Sequence, residues 1–355
     1  MISQEQIKTI DTREMHAVLS TFPQQVRQAI EIGKNAPLFS PKENPKKIAI
    51  LGMGGSAIGG DILRSYSAAT AGADHLSIQI NRTYNIPKSI DENTFVIGSS
   101  YSGGTEETIE GFSQARQRTD KLLCISSGGE LSAIARNENI PLIEIPGGLQ
   151  PRCALGYSFF PLLHLLIRSG AFNENAAIES EQAEKELITL LDENSKTYGV
   201  PSHANPSYLM AEKLHGKAPV FYSSCEILDT VNLRWRGQIN ENAKNFAFGS
   251  FLPEMNHNEI NSWNMPKSIL ENLIIVLLRD KNDHPRVQKR FDALGSILSS
   301  SAEVLTIESQ AQHLLTRIFD LVYLADWTSY WLALLNGVDP TPIPVITKLK
   351  GLMSS

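Results

Sequence analysis

From residue 47 onward, short apolar runs alternate with segments of helical length, and this alternation constrains the fold more than any other feature of the chain. The apolar runs fall at residues 47–51, 76–80, 94–98, 121–125 and 141–145, with helix-length stretches at 56–67, 106–118 and 131–137. Such an order predicts parallel strands joined by crossover helices on both faces of a sheet. After an apolar helix at 152–172 and a charged amphipathic one at 176–198, the alternation resumes. Strands are expected at 219–223, 273–278 and 303–307, and helices at 229–244, 284–298 and 310–335. The predicted fold class is α/β, with two doubly wound parallel-sheet domains. Lys47-Ile-Ala-Ile-Leu-Gly and Lys217-Ala-Pro-Val-Phe-Tyr each open a domain with a buried strand, so the second half reads as a divergent copy of the first. Residues 1–45 are expected to be an N-terminal helical segment, its pattern ended by Pro37, Pro41 and Pro45. The first domain would span 46–198 with its connecting helices. The second would span 199–355 and end in a helix, with GVPSHANP at 199–206 as the linker.

Composition excludes several classes of protein. The 355 residues hold 32 basic and 38 acidic side chains, a net charge of −6. Without a basic surplus, nucleic acid is not the expected partner. The longest apolar stretches, 159–167 and 273–278, fall short of the roughly 18–20 residues a membrane helix needs. The polar N-terminus MISQEQIKTIDTRE does not read as a secretion signal. Cys124, Cys153 and Cys225 show neither metal-type spacing nor a disulfide framework. A soluble, cytoplasmic protein without membrane contact is expected.

Two turns carry the chemistry. Gly52-Met53-Gly54-Gly55-Ser56-Ala57 follows the first strand and opens a helix. Glycines let backbone N–H groups approach a ligand, and the helix N-terminus favours an anion. A plain structural turn, a dinucleotide fingerprint and a phosphate-ester cradle are all open at this point. The fingerprint calls for an acid after the next strand, where Ile80-Asn81-Arg82 has none; Arg82 would suit only a 2′-phosphate, as in an NADP-dependent oxidoreductase. The second turn, Ser99-Ser100-Tyr101-Ser102-Gly103-Gly104-Thr105, lies at the carboxyl end of the strand 94–98 and also enters a helix. Open α/β sheets bind ligands at that end. Ser100, Ser102 and Thr105 are spaced to turn three hydroxyls into one crevice, which favours a phosphate cradle. Thr105 taken alone reads rather as a helix cap, with Thr108 exposed. No Walker lysine accompanies either turn, which disfavours nucleotide hydrolysis.

Together the two turns resemble the sugar isomerase (SIS) domain, of flavodoxin-like topology. Further segments narrow the resemblance. Pro146-Gly147-Gly148-Leu149-Gln150-Pro151-Arg152, Asn240-Glu241-Asn242-Ala243-Lys244, and Glu254-Met255-Asn256-His257-Asn258-Glu259 are similar to segments of the bifunctional phosphoglucose/phosphomannose isomerases. So is Val338-Asp339-Pro340-Thr341-Pro342, which runs on to Lys350. The likeness extends from about residue 46 to 350; Cys153-Ala154-Leu155 departs from that family's run of small and aromatic residues. It implies a glycolytic and gluconeogenic isomerase of glucose 6-phosphate, mannose 6-phosphate and fructose 6-phosphate that needs neither cofactor nor metal. Gly54, Gly55, Ser56, Ser100, Ser102 and Thr105 would bind the 6-phosphate. Arg152 would lie near the reacting carbons, Glu241 would shuttle the proton between C1 and C2, and His257 and Lys350 would assist ring opening. It further implies a homodimer with the active site at the subunit interface, the histidine coming from the partner. The alternative it leaves is a non-catalytic sugar-phosphate-binding regulator.

Each residue type suits such chemistry. A partly buried carboxylate is a stronger base. A fixed guanidinium stabilises a developing enediolate, and imidazole titrates in the range that ring opening needs. Bland readings stand beside them. Glu241 is spaced to pair with Lys244 on a helix surface. His257 and Lys350 sit where solvated side chains are common, and Arg152 could neutralise a carboxylate at a helix start. His16, His75, His164, His203, His215, His284 and His313 show no ligand spacing, and His164 reads as a core residue. No ligand set for a metal-dependent mannose-phosphate isomerase is found.

Overall fold

The structure, a computed structural model, describes residues 1–39 and 45–353. Pro41, within the N-terminal segment's proline-rich stretch, lies outside the described residues. The chain forms two compact units, one of Thr21–Leu190 with Ala311–Thr316, the other of Met1–Ser20, Leu191–Gln310 and Arg317–Ser355.

The first unit is built on β1 (Lys47–Leu51), β2 (Ser77–Asn81), β3 (Phe95–Ser99), β4 (Leu122–Ser126) and β5 (Leu142–Glu144). They form one parallel sheet in the order β2-β1-β3-β4-β5. This flavodoxin-like order reverses direction between β1 and β3, where a ligand crevice is expected. Every residue of β3 and β4 is buried, as continuous apolar strands covered on both faces must be. Leu51 of β1 pairs with Gly98 of β3, so the two glycine- and serine-rich turns leave the sheet side by side.

The second unit repeats the plan with β6 (Ala218–Ser224), β7 (Phe248–Leu252), β8 (Leu273–Arg279) and β9 (Glu303–Glu308), parallel and ordered β7-β6-β8-β9. Numbered within their own sheets, the strands run 2-1-3-4-5 and 2-1-3-4. The apolar periodicity does not announce β7, an edge strand with a single buried residue, Leu252.

Three helices, Gln4–Ile10, Met15–Ser20 and Phe22–Asn35, make up the described part of the N-terminal segment. The first twenty residues pack into the second unit. The Ile2 N–H donates to the Tyr208 hydroxyl, and the Tyr330 hydroxyl donates to Asp11. His16 Nε2 lies 2.8 Å from the Gly199 carbonyl. The stretch 199–206 is likewise held. The buried Asn205 side chain donates to the Tyr198 and Val200 carbonyls and accepts from the N–H groups of Ser207 and Tyr208, capping an unanticipated helix, Pro206–Leu214. No helix among the described residues is long and apolar enough to cross a membrane.

Candidate active site

Helix Gly54–Ala69 starts directly after β1, and its glycines serve two ends. Gly54 adopts φ +49°, a left-handed conformation with open space around it. Gly55 instead permits a close approach, for a Cβ there would sit 2.3 Å from the Pro151 carbonyl oxygen and 3.1 Å from the Arg152 nitrogen. The glycine turn therefore abuts the segment that carries Arg152. That residue, 3% exposed, lies in a short 3-10 turn, Pro151–Cys153, rather than in the long helix expected from 152; the α-helix begins only at Leu155.

The turn after β3 is laced to the turn after β1. Ser99 Oγ donates to the Ser56 carbonyl, and the Tyr101 N–H donates to Ser56 Oγ at 2.9 Å. Because Ser56 Oγ accepts that bond, its own proton remains to be donated. Ser100 is fully buried, and its hydroxyl meets that of Thr105 at 2.9 Å. Thr105 occupies the N-cap position of helix Glu106–Ala115 but makes no capping bond with its side chain, and Thr108 is buried rather than exposed. Ser102 is exposed. The six residues expected at the phosphate thus lie on two adjoining turns at the topological switch point, beside two helix N-termini. Glu106, which would repel a phosphate there, is engaged by the Tyr84 hydroxyl. Arg82 forks onto the buried carboxylate of Asp61, so the cation needed for a 2′-phosphate is already committed.

Tyr101 and Ser127 also join the loops, and hydroxyl spacing alone does not mark either as a site residue. The Tyr101 carbonyl accepts from Ser127 Oγ and N–H, and its phenol accepts from the Leu149 N–H. The only sequence signal was an aromatic residue set among hydroxyls and glycines.

In the second unit, Glu241 lies in the last turn of helix Asp229–Asn242 and is partly buried. Arg234, Gln238 and Asn242, four residues apart on one face, fasten this helix. The first two donate to the buried carboxylate of Asp326, and the third to Ser329 Oγ. The Lys244 ammonium is engaged by the carbonyls of Asn242, Asp339 and Pro340, which binds the helix end to the 338–342 segment. Glu241 borders a cavity of about 430 Å³ lined by Phe246, Phe248 and Ile343–Ile346. His257 is exposed at the end of a 3-10 turn, Glu254–His257, whose Met255 is buried. Its loop is anchored by the Tyr222 hydroxyl, which donates to Glu259 and accepts from the Trp263 indole. Lys350 is exposed in the last turn of helix Pro344–Met353. His164 is a core residue beside Glu184. Among the described residues no cluster of three or more His, Cys, Asp or Glu could hold a metal ion.

Two parallel sheets of the same strand order, the first carrying two bonded hydroxyl- and glycine-rich turns at its switch point, define a two-unit SIS-type α/β protein. Residues 203–353 match the family described as the bacterial phospho-glucose isomerase C-terminal SIS domain. The chain is 38% identical over 333 residues to a bifunctional phosphoglucose/phosphomannose isomerase of Caldicellulosiruptor bescii, covering 94% of this chain and 96% of that one. It is 34% identical to the Aquifex aeolicus protein of the same name, covering 86% and 89%. A glucose-6-phosphate isomerase like protein from Thermus thermophilus shares the fold with a TM-score of 0.62 at 17% identity, covering 97% and 98%. The chain belongs to the bifunctional phosphoglucose/phosphomannose isomerase family.

Proposed function

We propose that the protein is an aldose–ketose isomerase that interconverts glucose 6-phosphate and mannose 6-phosphate with fructose 6-phosphate, with no metal in the catalytic step. Family membership makes this the leading reading, and the observation that carries it is the hydroxyl-lined turn pair at the switch point of the first sheet. Gly54, Gly55, Ser56, Ser100, Ser102 and Thr105 hold the 6-phosphate. His257 of the partner subunit and Lys350 assist ring opening. Glu241 then takes the C2 proton of the open aldose, and the electron pair moves through the new C1–C2 double bond onto O1. Arg152 stabilises this enediolate. The O2 proton passes to O1, Glu241 returns its proton to C1, and C2 becomes the ketose carbonyl, so protons and electrons balance. Because the intermediate is planar at C2, both C2 epimers can enter it.

In this reading the active site forms at the interface of a homodimer. The exposure of large apolar side chains in the second unit supports such an assembly, with Phe246 76%, Phe248 51% and Val345 80% exposed. The test is Glu241→Gln, assayed for turnover of fructose 6-phosphate and for binding of 5-phosphoarabinonate. Turnover should fall by about 10³-fold or more, in the range of lost general acid–base catalysis, with binding nearly intact. Unchanged turnover refutes the role of Glu241.

A further inference from the structure

Tyr101 is 7% exposed although it lies in a hydroxyl-rich loop at the sheet's carboxyl edge, and it bonds to three other loops. Its N–H donates to Ser56 Oγ in the turn after β1. Its carbonyl accepts from Ser127 after β4. Its phenolic oxygen accepts from the Leu149 N–H at 2.9 Å, in the segment after β5. That last bond reaches the approach to Arg152. Gly147 and Gly148 precede Leu149, and Gly148 has φ +94°, so the chain leaving β5 has little torsional restraint of its own. Beyond Leu149 the path stiffens. The Cys153 N–H donates to the Gln150 carbonyl, and the Gln25 amide grips the far side by donating to the Cys153 carbonyl and accepting from the Gly156 N–H. The Arg152 turn is therefore held at one end by Gln25 and at the other by the Tyr101 phenol.

We infer that Tyr101 is a positioning residue that, through its hydroxyl and Leu149, sets the Arg152 turn against the phosphate cradle. The inference rests on the role proposed above for Arg152. Tyr101→Phe removes only the phenolic oxygen and keeps both backbone bonds, so the cradle itself is retained. The expected result is a fall in kcat of about tenfold with KM within about threefold, as when an interaction made mainly in the transition state is weakened. Faster hydrogen exchange at the Leu149 amide should accompany it. A double-mutant cycle with Arg152→Lys decides the route: the Tyr101→Phe change should cost little more in that background, because the two act as one unit. The inference is overturned by unchanged kcat, by an equal loss in both backgrounds, or by a rise in KM alone. A wild-type protein that does not isomerise fructose 6-phosphate overturns the proposed function itself, an outcome distinct from the other three.

Discussion

The hydroxyls of Ser100 and Thr105 lie 2.9 Å apart, although Thr105 stands where a side chain ordinarily turns back to cap its helix. One of the two donates to the other, so at least one proton of the pair remains for a ligand oxygen. A Thr105→Val change keeps the shape and removes the hydroxyl. It should raise KM for the sugar phosphate by roughly tenfold, the worth of a hydrogen bond to a charged group. Thermal stability should fall only modestly, by about 1 kcal/mol, because no capping bond is lost and the buried Ser100 hydroxyl loses one partner. A large drop in melting temperature would instead reveal a structural hydroxyl.

Gly55 sets how closely the Arg152 turn approaches the first turn of its helix. An alanine Cβ there would lie 2.3 Å from the Pro151 carbonyl oxygen, and both contacting groups are backbone. Gly55→Ala should destabilise by about 1–3 kcal/mol through overpacking and lower kcat by displacing Arg152. Chemical denaturation and steady-state kinetics check both effects, and an unaltered variant would disprove the close approach.

Asp326 is the buried counter-charge for Arg234 and accepts from Gln238 as well. Asp326→Ala leaves a guanidinium in the core without compensation, which typically costs about 3–5 kcal/mol. Since both donors lie on the Glu241 helix, isomerase activity should fall below what the folded fraction accounts for. Measurement at a temperature where the variant remains folded separates the two losses.

Of the three cysteines, Cys124 and Cys153 are buried and Cys225 is exposed. Burial pushes the Cys124 thiol up to about 12. At pH 8 a thiol-specific reagent should label Cys225 alone in the native protein, and slowly, because partial burial and neighbouring acids raise its pKa too. Denaturant should expose the other two. Rapid native labelling of Cys124 would contradict its place in β4.

Alkaline conditions should unfold the first unit. Burial raises Tyr66 from 10.0 to about 12 and Cys124 from 9.0 to about 12. A folded-state value above the unfolded one contributes stability that is complete below the unfolded pKa and lost as pH rises through the folded value. Melting temperature should therefore decline from about pH 9 to pH 12. Cys124→Ala should soften the first part of that decline, and a flat profile would argue against buried, neutral side chains at these two positions.

Much of this protein is written locally in its chain. Buried parallel strands need unbroken apolar runs, so β3, β4 and β8 are legible as such, and the hydroxyls and glycines of the two ligand turns are adjacent in sequence. Legibility ends where a residue's environment is supplied from far away. The edge strand β7 buries one side chain and carries no periodic signal. Asn205-Pro206 is a breaker signal and a helix-start signal at once, and only its bonds to Tyr198 and Val200 decide between them. The Tyr101 phenol meets an amide 48 positions later in the chain, and Tyr330 donates to a carboxylate 319 positions earlier. Strand alternation, turn chemistry and family follow from the order of residues, because backbone propensity and burial act over a few neighbours. Which loops Tyr101 joins, how Gly55 admits the Arg152 turn, and why residues 1–20 complete the second unit were settled by tertiary packing, since hydrogen-bond partners and close contacts exist only once distant segments have been brought together.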